Sequence, residues 1–110
     1  MKRTDLRADA RISINRRGTL KFGDASFPCL VLDMSDGGFL IMPTVTLEAG
    51  QILDFRCELY PGRLLECKIE VRHVSDSGVG TKIAEIDEKG TRLCQLYLQE
   101  HYSSKLDRSV

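Results

Sequence analysis

Two short groups of residues carry the chemistry of this chain. Arg7 and Arg11 bracket Arg7-Ala8-Asp9-Ala10-Arg11, and a carboxylate, a hydroxyl and paired glycines follow in Asp33-Met34-Ser35-Asp36-Gly37-Gly38. A guanidinium is a planar fork of N–H donors that matches phosphate oxygens or the O6 and N7 edge of guanine. A carboxylate accepts from the N1–H and N2–H side of the same base, a serine hydroxyl adds a donor and acceptor, and glycine leaves the backbone open to close approach. A ligand carrying both phosphates and guanine edges would use all of them.

Arg-x-x-x-Arg followed by Asp-x-Ser-x-x-Gly resembles the signature of PilZ domains, the bacterial receptors for cyclic di-GMP. The order is the family's: the arginines lie in a polar N-terminal arm just before the first strand pattern, and the Asp-Ser-Gly group lies at a strand-to-strand turn. The resemblance covers nearly the whole chain. It implies that Arg7, Arg11, Asp33, Ser35 and Gly38 bind cyclic di-GMP, with Gly38 matching the family glycine and Gly37 sharing its freedom from a Cβ. It implies also that a planar side chain near the end of the fifth strand, here Arg72, lies against a guanine. In the family the residue before the first arginine helps decide between one nucleotide and an intercalated pair. Here it is Leu6, which has no donor, so one ligand per chain is expected unless Arg3 reaches in.

Such residues act together only if the fold assembles them. Residues 11–22 alternate loosely, Gly23-Asp24 turns the chain, and 27–32 read as a second strand. Ser35-Asp36-Gly37-Gly38 then turns into Phe39-Leu40-Ile41-Met42, which Pro43 stops. Residues 51–60 and 63–74 flank Pro61-Gly62, and a last strand covers about 78–86. Short strands joined by tight turns, with no crossover helix, predict an all-β antiparallel barrel or sandwich. The resemblance selects a six-stranded barrel with a C-terminal helix and a flexible basic N-terminal arm.

Leu93, Leu96, Tyr97 and His101, with Cys94 and Leu98 beside them, have helical spacing, and Asp87 or Thr91 can cap the start. The expected organisation is an arm over 1–10, a single domain over 11–102 and a disordered tail over 103–110. In the hairpin at Pro61-Gly62, facing both apolar rows inward places Leu59 opposite Leu65 and Cys57 opposite Cys67. By the same parity Arg72 points out and His73 points in, toward the core or its rim. Arg16 and Arg17 are expected to contribute field rather than contacts.

At 110 residues and 42% hydrophobic, the chain has material for one core. No apolar run approaches a membrane span, and Met1-Lys2-Arg3-Thr4-Asp5 leads into charge rather than a signal peptide, so a cytoplasmic location without membrane insertion is expected. Cys29, Cys57, Cys67 and Cys94 have no Cys-x-x-Cys spacing and only His73 and His101 accompany them, which predicts buried reduced thiols and no metal. Net charge is zero, yet Lys2, Arg3, Arg7, Arg11, Arg16 and Arg17 face only Asp5 and Asp9 in the first seventeen residues.

Lack of Trp, few aromatics and zero net charge disfavour an OB-like nucleic-acid binder. The absence of HEXXH, a phosphate-binding glycine loop or a nucleophile elbow speaks against an enzyme. The leading reading is a receptor with no catalysis and no cofactor, whose arm orders over bound cyclic di-GMP to present a surface to a downstream protein that the sequence does not identify. The alternative is a PilZ-like adaptor that binds protein without a ligand.

Overall fold

The computed structural model describes residues 11–109, with side chains through residue 101. The expectations placed on the arm, and with it on Arg3, Leu6 and Arg7, lie outside the described residues. Six strands, β1 (Arg11–Phe22), β2 (Ala25–Ser35), β3 (Gly38–Pro43), β4 (Ile52–Tyr60), β5 (Arg63–Ser75) and β6 (Gly78–Glu85), precede one helix, α1 (Glu88–Ser109). The strands close into an antiparallel barrel in the order β1-β2-β3-β6-β5-β4. Closure is made by a short β1–β4 ladder over Gly18–Lys21.

Alternation drives the closure. On β4, Leu53, Phe55, Cys57 and Leu59 are buried between exposed neighbours, and on β5 Leu65, Ile69 and Val71 do the same. These rows meet Leu20, Val31, Met34 and Ile41 from the other wall, all essentially without exposure, with Phe39 and Phe55 tilted together at 4.7 Å between ring centroids. The β4–β5 turn uses Gly62 at a φ of 76°, a backbone angle open to glycine.

The hairpin register differs from the expected one. Cys57 lies opposite Leu65 and Phe55 opposite Cys67, because the pairing shifts between Glu58 and Tyr60 and carries the β4 row along by one facing pair. Both rows still face the core, although Cys67 is only partly buried. Strand β2 is also longer than the 27–32 core of its pattern, and takes Asp33 and Ser35 into its last turns of pleat.

Irregularities elsewhere decide which side chains face out. β1 bulges between Ser13 and Arg16, with Asn15 at a φ of 45°; β2 bulges between Val31 and Asp33; β5 bulges between Val71 and His73. A bulge inserts one residue and so exchanges the two faces beyond it. His73 therefore leaves the core, against expectation, and is exposed. On β1 the inward row is not exchanged: Arg16 keeps the parity of Ile12, Ile14 and Leu20 and is half-buried opposite Val31.

Helix α1 is capped by Asp87, whose carboxylate accepts from the Gly90 N–H at 2.7 Å and whose carbonyl accepts from the Thr91 hydroxyl at 3.0 Å. Leu93, Cys94 and Tyr97 are buried against the barrel, whereas Leu96, expected in the same stripe, falls on its outer flank and is 36% exposed. The helix runs to Ser109, with no Gly or Pro after Gly90 in its first turn.

Candidate functional site

Two rows of facing residues cross the outside of the barrel. The first runs Arg11 on β1, Ser35 on β2, Gly38 on β3, Lys82 on β6 and Glu70 on β5. The second runs Ser13, Asp33, Leu40, Gly80 and His73 over the same strands. Five strands thus meet at one patch, four of them with polar side chains and β3 with Gly38 and Leu40, and the three bulges lie just beyond the second row. Without them Asp33 and His73 would share parity with the buried Val31 and Val71.

The patch is a depression of about 240 Å³ lined by Arg11, Asp33, Ser35, Gly38, Arg72 and His73, with Thr81, Leu40 and Gly80 contributing to its floor and wall. The expected residues Arg11, Asp33, Ser35, Gly38 and Arg72 are therefore brought together. Gly37, in the turn, is not part of the lining. Ser13, His73 and Thr81 were not singled out as ligand contacts. Their only trace in the sequence is a β-strand pattern that drifts out of register, which alternation alone does not resolve.

The Asp33 carboxylate is half-buried and accepts from the Ser13 hydroxyl at 3.4 Å. Ser35 donates to the Gly38 carbonyl at 3.4 Å, pinning the turn that presents both residues. Among the described residues neither Arg11 nor Arg72 forms an ion pair. Two guanidiniums with open donors flank one carboxylate, a set suited to an anion that also carries N–H groups.

The two glycines serve different ends. A Cβ at Gly38 would run into the backbone carbonyl of Thr81, so glycine here is demanded by the contact between β3 and β6 as well as by the open approach from outside. A Cβ at Gly37 would meet nothing within 4 Å.

A larger cleft of about 580 Å³ lies across β1, β4 and β5, and four of its charges are paired with one another. Lys68 Nζ stands 2.7 Å from Asp54 Oδ1 and Arg56 Nη2 2.9 Å from Glu66 Oε2, each within a solvated cross-strand ladder. The smaller depression holds two guanidiniums that form no ion pair among the described residues. No group of His, Cys, Asp and Glu among the described residues is arranged to hold a metal, and no described helix is long and apolar enough to cross a membrane.

Arg16 makes contacts that the sequence reading did not expect. Its Nε donates to the Tyr97 hydroxyl at 3.4 Å and its Nη1 to the Glu58 carbonyl at 3.5 Å, and the bond to Tyr97 holds its pKa above the ordinary arginine value. It ties β1 to α1 and lies outside the depression.

The PilZ domain family model matches residues 5–100. No curated protein matches the sequence. Among solved structures, the Bacillus subtilis inhibitor of motility MotI/DgrA superposes with a TM-score of 0.69 at 15% identity, covering 84% of this chain and 49% of that one. The chain thus spans about half the length of that protein. The PilZ domain of YcgR from Escherichia coli, solved with c-di-GMP, gives 0.69 at 14% identity over 89% of this chain and 95% of that one. An uncharacterized Legionella protein gives 0.53 at 13% identity, with 87% and 97% covered. At these identities the likeness is one of fold.

Proposed function

The chain belongs to the PilZ domain family, and we propose that it is a cyclic di-GMP receptor that acts without catalysis and without a cofactor. The observation that carries this reading is the convergence of Arg11, Asp33, Ser35 and Gly38, from separate parts of the sequence, on one depression. Guanidiniums bind the phosphodiester oxygens and the guanine O6/N7 edge, and Asp33 accepts from the N–H edge of the base. Ser35 and the exposed backbone at Gly37 and Gly38 let the nucleotide approach closely.

Arg7 supplies a further guanidinium from the segment before β1. A dianion held by Arg7 and Arg11 draws residues 1–10 against the barrel and creates a surface made partly of protein and partly of nucleotide. A downstream protein in the cytoplasm reads that surface, which neither membrane insertion nor nucleic acid is needed to explain.

Calorimetric titration with cyclic di-GMP tests the reading. Hydrogen bonds to charged groups contribute about 1.5–3 kcal/mol, so Arg7→Ala and Arg11→Ala should each weaken binding roughly ten- to a hundredfold with the barrel intact. Asp33→Ala should narrow the preference for cyclic di-GMP over cyclic di-AMP, because it removes the acceptor for the guanine N–H groups. Absence of heat and of amide chemical-shift changes at high ligand concentration would leave the ligand-independent adaptor as the function. With Leu6 and not a cation before Arg7, one nucleotide per chain is expected; a second that is lost on Arg3→Ala would overturn this.

A further inference from the structure

The bulge at Arg72 places an imidazole on the wall of the site. His73 stands opposite Gly80, where a Cβ would lie at ordinary contact distance, 3.7 Å, from the His73 Cβ. The same row continues through Leu40 to Asp33 and Ser13, so the ring forms one wall of the depression and the carboxylate lies across from it. Resting on the receptor reading, we infer that His73 takes up a proton when the dinucleotide binds, which makes affinity rise as pH falls.

The charges nearest the depression come from four strands, of which β6 pairs directly with β5 while β1 and β2 lie beyond β3 in the barrel order. β1 supplies Arg11, β2 supplies Asp33, β3 supplies none, β6 supplies Lys82 one pair along, and β5 itself supplies Arg72 and Glu70. In the unliganded site, Arg11, Arg72 and Lys82 oppose an imidazolium while Asp33 and Glu70 favour it. A bound cyclic dinucleotide adds two negative charges and no cation, which tips this balance toward the charged ring. Protonation also turns both ring nitrogens into donors, matched to the acceptors at guanine O6 and N7 or to phosphate oxygen, whereas the neutral ring has one donor.

Histidine is the side chain whose ordinary titration falls between pH 5 and 8, so the coupling lies in an accessible window. The sign follows from linkage: if the complex holds the proton more tightly than the free protein, the ligand binds more tightly to the protonated form. Each unit of displacement corresponds to tenfold in affinity between the two protonation states, and over a finite pH range about five- to tenfold is realised.

The test is calorimetry with cyclic di-GMP at about pH 5.5 and about pH 8, each in two buffers that differ in ionisation enthalpy. Wild type should bind about five- to tenfold more tightly at the lower pH and should take up a fraction of a proton near neutrality. His73→Asn should remove both effects. His101→Gln should keep them, since His101 stacks on Tyr97 at 3.9 Å with Nδ1 2.8 Å from the Tyr97 carbonyl, away from the depression. Equal affinity at both pH values without proton uptake, or an undiminished pH effect in His73→Asn, overturns the inference and leaves the receptor intact. Failure to bind at either pH removes the receptor reading and this inference with it.

Discussion

The backbone carbonyl of Thr81 occupies the space in which a side chain at Gly38 would begin. Gly38 faces Lys82 across the β3–β6 ladder, and the Thr81 hydroxyl donates to the neighbouring Phe39 carbonyl at 2.9 Å, so the two strands are held together where no Cβ fits. A residue of the Asp-x-Ser-x-x-Gly motif is thereby also a residue of the barrel seam.

Gly38→Ala should therefore destabilise the fold. A clash with backbone is not relieved by rotating a side chain, and overpacking of this kind costs about 1–3 kcal/mol. Gly37→Ala, in open space, should stay within about 0.5 kcal/mol of wild type. Thermal unfolding of the two variants side by side reads the difference. Equal melting temperatures would show that β3 and β6 separate without cost and that Gly38 serves the ligand alone.

The parts of this architecture legible in the sequence are those set by period and punctuation. The alternating rows of β4 and β5, the turn at Pro61-Gly62 and the Asp87 cap all follow from local patterns with one physical outcome. What local pattern did not reveal is where a strand gains a residue. Arg72 looks like one more outward residue, yet its insertion sends His73 to the surface; Leu32 looks like one more residue of the β2 row, yet the irregularity there turns Asp33 away from the core. The β4–β5 pairing slipped for the same reason, since both candidate registers face the same rows inward and only the irregularity beside Leu59 separates them. At the site, Asp33, Ser35 and Gly38 are legible because they form a motif, whereas Ser13 and Thr81 are brought there only by pairing between strands.

Arg16 and Tyr97 should be coupled in anchoring the helix. Tyr97 is 2% exposed, meets Tyr60 edge-on at 5.4 Å, and receives the Arg16 N–H, while the Tyr60 hydroxyl donates to Glu100 at 2.6 Å. Truncating a buried aromatic costs about 3–5 kcal/mol, so Tyr97→Ala should melt far below wild type. Arg16→Ala, which loses longer bonds, should cost about 1 kcal/mol. In the double variant the loss should fall short of the sum, because Arg16 has lost its partner already. Strict additivity would show that the guanidinium is held by the Glu58 carbonyl and not by the helix.

The thiols give the last expectation. Burial raises the Cys29 and Cys57 thiols to about 11, and burial followed by the neighbouring cysteines raises Cys67 and Cys94 to about 12. Because the thiolate is the nucleophile, all four should alkylate much more slowly in the native protein than in urea at about pH 8, with the partly exposed Cys67 the first to react. A thiol whose folded pKa lies above its unfolded value favours the fold while protonated, so this contribution is whole below about pH 8.5, the ordinary cysteine value. It is lost progressively as pH climbs toward the folded values near 11 and 12. Urea midpoints should accordingly fall from about pH 8 to about pH 10, and replacing Cys57 by Ala should shallow that fall while lowering the midpoint at the start. Native-state labelling of Cys57 as fast as in urea, with the midpoint unchanged by pH, would mean that its sulfur is reached by solvent and that β4 does not face the core at that position.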